Sequence, residues 1–257
     1  ATAGTSGILS DQDTDLWAVY AEIKAIPNNQ LDLYALLLRD GATGAGLGAA
    51  LTPNKPDSLY TIGARLAGKV PAANVDYTVE IPFQFGDTGT QLAGTDGSYG
   101  GYAIFAKAGY TIPGATKVRL GAEYNFISGD DQNTGDSDQD AYINMKLGTD
   151  HMNYGYMDIN NPSGALGNGG KSLWSLNAKA QVTPDLSLYV AYWNATINEV
   201  TTGASDDNGA EIDLQAVYKV STGTKLVAGY GNYSPGDAQR VNGDNQDWAF
   251  LMLKAAF

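Results

Sequence analysis

Hydrophobic and polar residues alternate with a period of two along most of the chain. The stretch LYTIGARLAGKV at 59–70 places Ile62 and Leu66 on one side and Arg65 and Lys69 on the other. The stretches VDYTVEIPFQF, TKVRLGAEYNF and AEIDLQAVYKV repeat this pattern. Successive side chains of a β-strand point to opposite faces. The alternation therefore predicts strands that each have one apolar and one polar face.

About eleven strands of this kind are predicted. They lie at 15–26, 29–39, 59–70, 73–85, 100–112, 116–128, 172–183, 185–197, 210–220, 223–233 and 247–257. At about 10 to 13 residues, most of them have the length that a tilted strand needs to cross a bilayer, whereas strands of globular sheets average 5 or 6. The final strand, DWAFLMLKAAF, places Leu251, Leu253 and Phe257 on one wholly apolar side.

The connections between the predicted strands alternate strictly between short and long. The short ones are IPNN, VPAAN, IPGAT, TPD and STGT, and the long ones span 40–58, 86–100, 128–170, 198–209 and 234–246. Aromatic residues gather near strand ends on the apolar side, namely Tyr60, Phe83, Phe85, Tyr110, Tyr124, Phe126 and Tyr218. These are features of outer-membrane barrels. The sequence thus predicts an all-β fold, a transmembrane antiparallel β-barrel, with Phe257 facing lipid at the periplasmic end of the last strand.

Composition narrows the classes of function. The net charge of −13 argues against a nucleic-acid partner, because phosphate binding requires a basic face. The chain has no Cys and a single His, His151, which no Ser or carboxylate motif accompanies. His151 is interpreted as an ordinary loop residue, with a loop that lines the pore as the alternative. We therefore expect no enzyme activity and neither a cofactor nor a metal centre.

The acidic stretch GDDQNTGDSDQDAY raises the question of calcium. It gathers Asp130, Asp131, Asp136, Asp138 and Asp140. An EF-hand loop that began at Asp136 would require Gly at its sixth place and Glu at its twelfth, where the chain has Ala and Leu. A solvated surface loop is the favoured interpretation, and a calcium site in the Asp130–Asp140 loop is the alternative.

Several short motifs resemble one family. The order TIGARLAGKV, VDYTVEIPFQFGD, VRLGAEYNFISGDD, HMNYGYMD, EIDLQAVYKV and AGYGNYSPGD is similar to that of the alginate-export family of outer-membrane porins. The resemblance extends from about Asp15 to Phe257. It implies an eighteen-stranded barrel whose lumen passes a solute by diffusion. The terminal Phe257 resembles the signal that the outer-membrane assembly machinery reads.

The chain departs from the family pattern in two respects. Closed bacterial barrels normally have an even number of strands, and eleven is odd. We therefore expect residues 1–257 to form the C-terminal part of an eighteen-stranded barrel, with residues 1–14 left from an extracellular loop. The family resemblance also implies an Arg-rich lumen, yet the chain has only Arg39, Arg65, Arg119 and Arg240. Alginate itself is therefore not the expected solute.

Strand parity predicts which charged residues line the pore. Those predicted are Arg65, Lys69, Glu80, Lys107, Lys117, Arg119, Glu123, Lys179, Asp213 and Lys219, with Asp76 and Glu211 on the same side. In one interpretation they only form ion pairs in a watery interior, each worth little. In the other their field selects solutes. A watery lumen predicts that the loss of such a charge alters selectivity more than stability.

The expected function is that of an outer-membrane porin for passive diffusion of small hydrophilic solutes, anionic ones among the candidates. The alternative is a structural barrel that sheathes or anchors an export or electron-transfer partner. Expected partners are membrane lipid and lipopolysaccharide, the solutes, and the assembly machinery through Phe257. The expected location is the outer membrane of a Gram-negative bacterium.

Overall fold

In the part of the chain that the structure describes, the regular structure consists of twelve β-strands and one short 3-10 helix, Pro71–Ala73. The computed structural model describes residues 14–40, 57–92, 95–114, 116–131, 136–143, 155–157, 169–238 and 244–256. Its strands are β1 (Thr14–Ile23), β2 (Asn29–Asp40), β3 (Asp57–Val70), β4 (Val75–Leu92), β5 (Thr95–Tyr99), β6 (Ala103–Ile112), β7 (Val118–Ile127), β8 (Lys171–Gln181), β9 (Leu186–Thr196), β10 (Asp207–Lys219), β11 (Thr224–Pro235) and β12 (Gln246–Ala255). Among these described residues, no helix is long and apolar enough to span a membrane.

All twelve strands belong to one antiparallel sheet. Eleven follow each other in chain order, β1 to β4 and then β6 to β12, and β5 pairs with β4 beside this path. These eleven correspond one to one to the predicted strands, so the all-β antiparallel architecture is confirmed. Within the described residues, β1 pairs only with β2 and β12 only with β11. The sheet is thus open, and its closure into an eighteen-stranded barrel stays a prediction.

The prediction of an unbroken loop at 86–100 is wrong. Strand β4 continues to Leu92, and β5 turns back along it with Gln91 opposite Asp96 and Leu92 opposite Thr95. Polar residues such as Thr and Gln are compatible with an extended backbone, so β4 runs on after its apolar alternation ends. Strand β1 ends at Ile23 rather than at 26. The chain then turns, and the amide of Asn29 donates to the carbonyl of Ile26 (3.0 Å) before β2 begins.

The distribution of buried residues is inverted relative to a soluble domain. One side of the sheet, the apolar face, carries Ile62, Leu120 and Leu214, all of them exposed. The opposite side, the polar face, carries Asp32 and Glu211, which are only 2% and 1% exposed. Soluble proteins rarely expose a large contiguous apolar surface. The two faces that strand parity predicts are therefore present, with the apolar side outward.

Aromatic side chains form a row of three contacting groups on the apolar face. Ring pairs join neighbouring strands in this aromatic row: Tyr60 with Phe85 (5.3 Å), Phe83 with Tyr102 (6.2 Å), Tyr102 with Phe126 (5.3 Å) and Trp174 with Tyr192 (5.4 Å). The row lies toward the ends of the strands that the long connections join, the long-loop end. Tyr110 and Tyr218 lie near the opposite, short-turn end. This arrangement matches the predicted aromatic girdles.

Five short turns close the other end of the sheet. They span 24–28, 71–74, 113–117, 182–185 and 220–223, as predicted. Two of them contain an asparagine with positive φ, Asn28 at 62° and Asn74 at 53°. Asparagine tolerates this left-handed conformation better than most residues do. The turns thereby fix the strand register, and with it the side of the sheet on which each residue lies.

Candidate functional site

The polar face gathers the charged residues that strand parity predicts to line a pore. Arg65 lies opposite Glu80 on β4 and opposite Asp32 on β2. Its Nη1 donates to Asp32 Oδ2 at 2.8 Å. Tyr34 then links the same neighbourhood, since its hydroxyl donates to Glu80 Oε1 at 2.7 Å. Charged and polar groups of three strands thus form one network across this part of the face.

A second ion pair joins strands β4 and β7. Arg119 donates through Nε and Nη2 to both carboxylate oxygens of Asp76, at 2.9 and 2.6 Å. Each partner has about one third of its side-chain surface exposed, at 33% for Arg119 and 36% for Asp76. Such two-pronged contact fixes the direction of the guanidinium. The pair therefore holds one positive and one negative charge at a defined place on the polar face.

Cross-strand register places most of the other predicted residues on the same face. Lys69 lies opposite Asp76, Lys107 opposite Glu123, and Lys179 opposite Arg119. Lys219 lies opposite Lys225, which in turn lies opposite Lys254. These three lysines are exposed neighbours close to the short-turn end. Lys117 lies in the short turn before β7. Strand parity therefore does not assign its side chain to either face of the sheet.

Part of the long connection between β7 and β8 folds back onto the polar face. Gln84 of β4 is 4% exposed and binds the backbone of Ile143 twice. Its Nε2 donates to the Ile143 carbonyl, and its Oε1 accepts from the Ile143 amide, both at 2.7 Å. Tyr142 packs edge-on against Phe105 with 6.5 Å between the ring centroids. Residues 136–143 therefore cover the polar face beside β4 and β6.

The acidic residues of this connection bind backbone groups. Asp138 Oδ1 accepts from the amide and the hydroxyl of Ser98, both at 2.8 Å, and Asp130 Oδ1 accepts from the Asp140 amide at 3.0 Å. Burial raises the pKa of the Asp130 carboxyl above its usual value, although the Asp140 amide opposes this shift. Within the described residues, no group of three or more His, Cys, Asp or Glu side chains could hold a metal ion. The calcium alternative gains no support from these contacts.

A second piece of the same connection, Gly155–Met157, lies against β10. Glu211 Oε1 accepts from the amides of Tyr156 and Met157, at 2.6 and 2.9 Å, and Asp213 Oδ1 lies 3.4 Å from the Tyr156 amide. Gly155 has a φ of +87°, and a Cβ there would lie 2.5 Å from the Glu211 carboxyl carbon. Only glycine fits this conformation and this space without strain.

The side chain of Tyr156 fills a site formed by three strands. Its hydroxyl accepts from Gln215 Nε2 at 2.6 Å. Its ring lies 6.0 Å from that of Trp248 and 5.7 Å from that of Phe250, both on β12. Gly231 of β11 leaves the room for it, because a Cβ at that position would lie 3.4 Å from the Cβ of Tyr156. Loop and sheet are thus closely fitted here.

The polar face also contains apolar residues that parity does not reveal. Leu173, Ala191, Trp193 and Ala195 on β8 and β9 form a small buried cluster, with Tyr189 packed against it. Asp32, Tyr34, Gln84 and Tyr156 carry the main contacts of the face. Gln84 and Tyr156 lie in stretches that resemble the family, but the sequence does not indicate which contacts these residues make. The residues His151, Arg240 and Phe257 lie outside the described part of the chain.

The first part of the chain is similar to a known protein family. Residues 7–161 match the family model described as alginate export, which is more than half of the 257 residues. The matched part contains β1 to β7 and the connection as far as the Gly155–Met157 segment. The remaining strands, β8 to β12, continue the same sheet. No curated protein matches the chain.

Proposed function

Because the chain belongs to the alginate export family, we propose that it forms part of a β-barrel pore in the outer membrane of a Gram-negative bacterium. The pore passes small hydrophilic solutes by passive diffusion. The inverted burial carries this proposal, since apolar side chains point outward along the sheet while carboxylates such as Asp32 and Glu211 are buried on the other side. A lipid-facing surface around a polar interior is the arrangement of membrane barrels.

Among small hydrophilic solutes, the charges of the polar face favour anionic ones. Lys219, Lys225 and Lys254 lie side by side near the short-turn end, where like charges are held together despite their mutual repulsion. An anion entering there would relieve that repulsion. Of the four arginines, Arg65 and Arg119 lie on the polar face, whereas register places Arg39 on the apolar one. Alginate itself is therefore not the proposed solute.

The barrel has partners on its outer surface and at its C-terminal end. The apolar face contacts membrane lipid and lipopolysaccharide, and Phe257 serves the assembly machinery. The protein catalyses no reaction, holds no cofactor and binds no nucleic acid. Its selectivity comes from the width of the lumen and from the field of the charged residues on its wall.

Conductance in a planar lipid bilayer tests this proposal. The purified protein is expected to give discrete current steps that grow with salt concentration, and its reversal potential in a salt gradient reports the preferred sign of ion. A protein that inserts into the bilayer and never conducts would contradict passive diffusion.

A structural role is the second candidate, because two pieces of the β7–β8 connection cover the polar face. A barrel filled by its own loops could sheathe or anchor an export or electron-transfer component. Pull-down of a stable partner together with a silent bilayer would favour this role over the porin.

A further inference from the structure

The Gly155–Met157 segment lies at mid-depth of the sheet rather than at its rim. Its partners Glu211, Asp213 and Gln215 occupy the centre of β10, which runs from Asp207 to Lys219. The segment has therefore come from the long-loop end about halfway along the strands. A loop at this depth narrows whatever passage runs along the polar face.

One carboxylate supplies most of the polar attachment. Glu211 Oε1 accepts two consecutive backbone amides of the segment, at 2.6 and 2.9 Å. A backbone amide buried without a hydrogen-bond acceptor is costly, so these two bonds stabilise the segment in this position. Glu211 is 1% exposed, so it would be costly to bury without these donors. Segment and carboxylate thus depend on each other.

Building on the proposed pore function, we infer that Glu211 is a positioning residue that holds the Gly155–Met157 segment across the lumen, and that Tyr156 is the specificity-determining residue of the constriction. The half-buried Tyr156 ring lies beside Trp248 and Phe250, and Gln215 supplies a polar group at its hydroxyl edge. This combination limits the width of a passing solute and offers it both stacking and hydrogen bonding.

A disulfide tests the position of the segment directly. The chain has no cysteine, so Tyr156→Cys together with Gly231→Cys creates one pair. The Cβ separation of 3.4 Å at these positions is close to that of natural disulfides, about 3.5 to 4.5 Å. We expect oxidation to form the cross-link, seen as a gel shift that reductant reverses. Reduction alone is expected to change single-channel conductance little, because Glu211 still accepts the two backbone amides of the segment. Reduction of the same pair in a Glu211→Ala background is expected to raise the conductance.

Removal of the carboxylate tests the positioning role. Glu211→Ala is expected to raise single-channel conductance and the size of the largest neutral polymer that enters the pore. Glu211→Gln keeps an acceptor oxygen and is expected to change both by less. Glu123→Ala removes the same charge from the same face, away from the segment, and should alter ion selectivity without the larger size limit. Heat-dependent gel mobility shows that each variant is folded.

The outcomes separate this inference from the proposed function. No cross-link, or an equal size limit in Glu211→Ala and Glu123→Ala, would overturn the inference while the pore stands. Current in the wild type with the expected differences supports both. If neither the wild type nor any variant conducts, both passive diffusion and the role of the segment in limiting solute size are overturned. The cross-link would then show only where the segment lies.

Discussion

At the scale of single residues, the two ion pairs of the polar face differ in their surroundings. Asp76, the partner of Arg119, is partly exposed, whereas Asp32, the partner of Arg65, has 2% of its side-chain surface exposed. Loss of Arg119 leaves a carboxylate that water can still reach. Loss of Arg65 leaves a buried carboxylate with fewer donors, although Gln30 Nε2 still donates to it at 2.8 Å.

Arg119→Ser is therefore the cleaner probe of selectivity. We expect the reversal potential in a salt gradient to shift toward cations with little change in stability. The shift should shrink with added salt, because the Debye length falls from about 30 Å at 0.01 M to about 3 Å at 1 M. Arg39→Ser, on the apolar face, is the control. An unchanged potential at low salt would place the selective charges elsewhere.

Arg65→Ser should act on stability as well. Asp32 then loses the guanidinium that donates to its Oδ2 and keeps Gln30 as a donor, so a modest loss of stability is expected. The prediction that loss of a lumenal charge alters selectivity more than stability is therefore expected to hold less well for Arg65 than for Arg119, because strand parity predicts on which face a residue lies and not which partners its neighbour keeps. Denaturant unfolding of the two Arg variants in parallel measures this difference.

The two faces of one strand provide a matched pair of substitutions. Ala64 of β3 is exposed on the apolar face, and Ala67 lies half-buried on the polar face of the same strand. Ala64→Arg should cost roughly 2 to 4 kcal/mol, the value for a cation near the bilayer midplane on the lipid side of a barrel. Ala67→Arg should be tolerated. Assembly into liposomes, followed by heat-dependent gel mobility, compares them, and equal losses would contradict the outward apolar face.

At the scale of elements, the β7–β8 connection depends on a few side chains of the sheet. Gln84→Leu removes both hydrogen bonds to Ile143 and leaves its amide and carbonyl without these partners. We expect faster hydrogen exchange in residues 136–143 and little change in β3 or β4. Gln181→Leu, at a short turn, is the control because Gln181 does not contact this segment. Unchanged exchange at 136–143 would show that other contacts hold it.

The strands could be predicted from the sequence, whereas the loop segments that lie on the polar face could not. A period of two is a local property, so each of the eleven strands in the path can be predicted from its own residues, as the alternation in 59–70 illustrates. The contact of Tyr156 with Glu211 joins residues far apart in the chain. Each lies in a stretch that resembles the family, HMNYGYMD and EIDLQAVYKV, but neither stretch indicates that the two meet. Trp248 and Phe250 alternate with the apolar side of the last strand, so parity places both on its opposite side. Their partner Tyr156 becomes visible only when the loop is placed.

At the scale of the whole molecule, the polar face divides into two parts. The strands β2 to β8 carry paired charges, as in Arg65 with Asp32 and Arg119 with Asp76. The strands β9 to β12 carry acidic and aromatic residues together with the Gly155–Met157 segment at mid-depth, and three neighbouring lysines near the short-turn end. Parity predicts the first part well, because charged residues alternate visibly with apolar ones. The second part is partly apolar on both sides, so alternation alone does not reveal its chemistry.

The aromatic row also has a consequence for the membrane that suits the protein. Tyr102 belongs to this row and Tyr110 lies near the short-turn end, eight residues further along. Eight residues of strand extend about 27 Å, and at the usual tilt of outer-membrane barrels this leaves about 20 Å along the bilayer normal. An average hydrocarbon core of about 30 Å would leave part of the acyl chains facing polar loops. The protein should therefore insert faster and in higher yield into bilayers of short-chain lipids than into bilayers of long-chain lipids. If insertion is independent of chain length, Tyr102 and Tyr110 do not mark the two edges of the hydrocarbon layer.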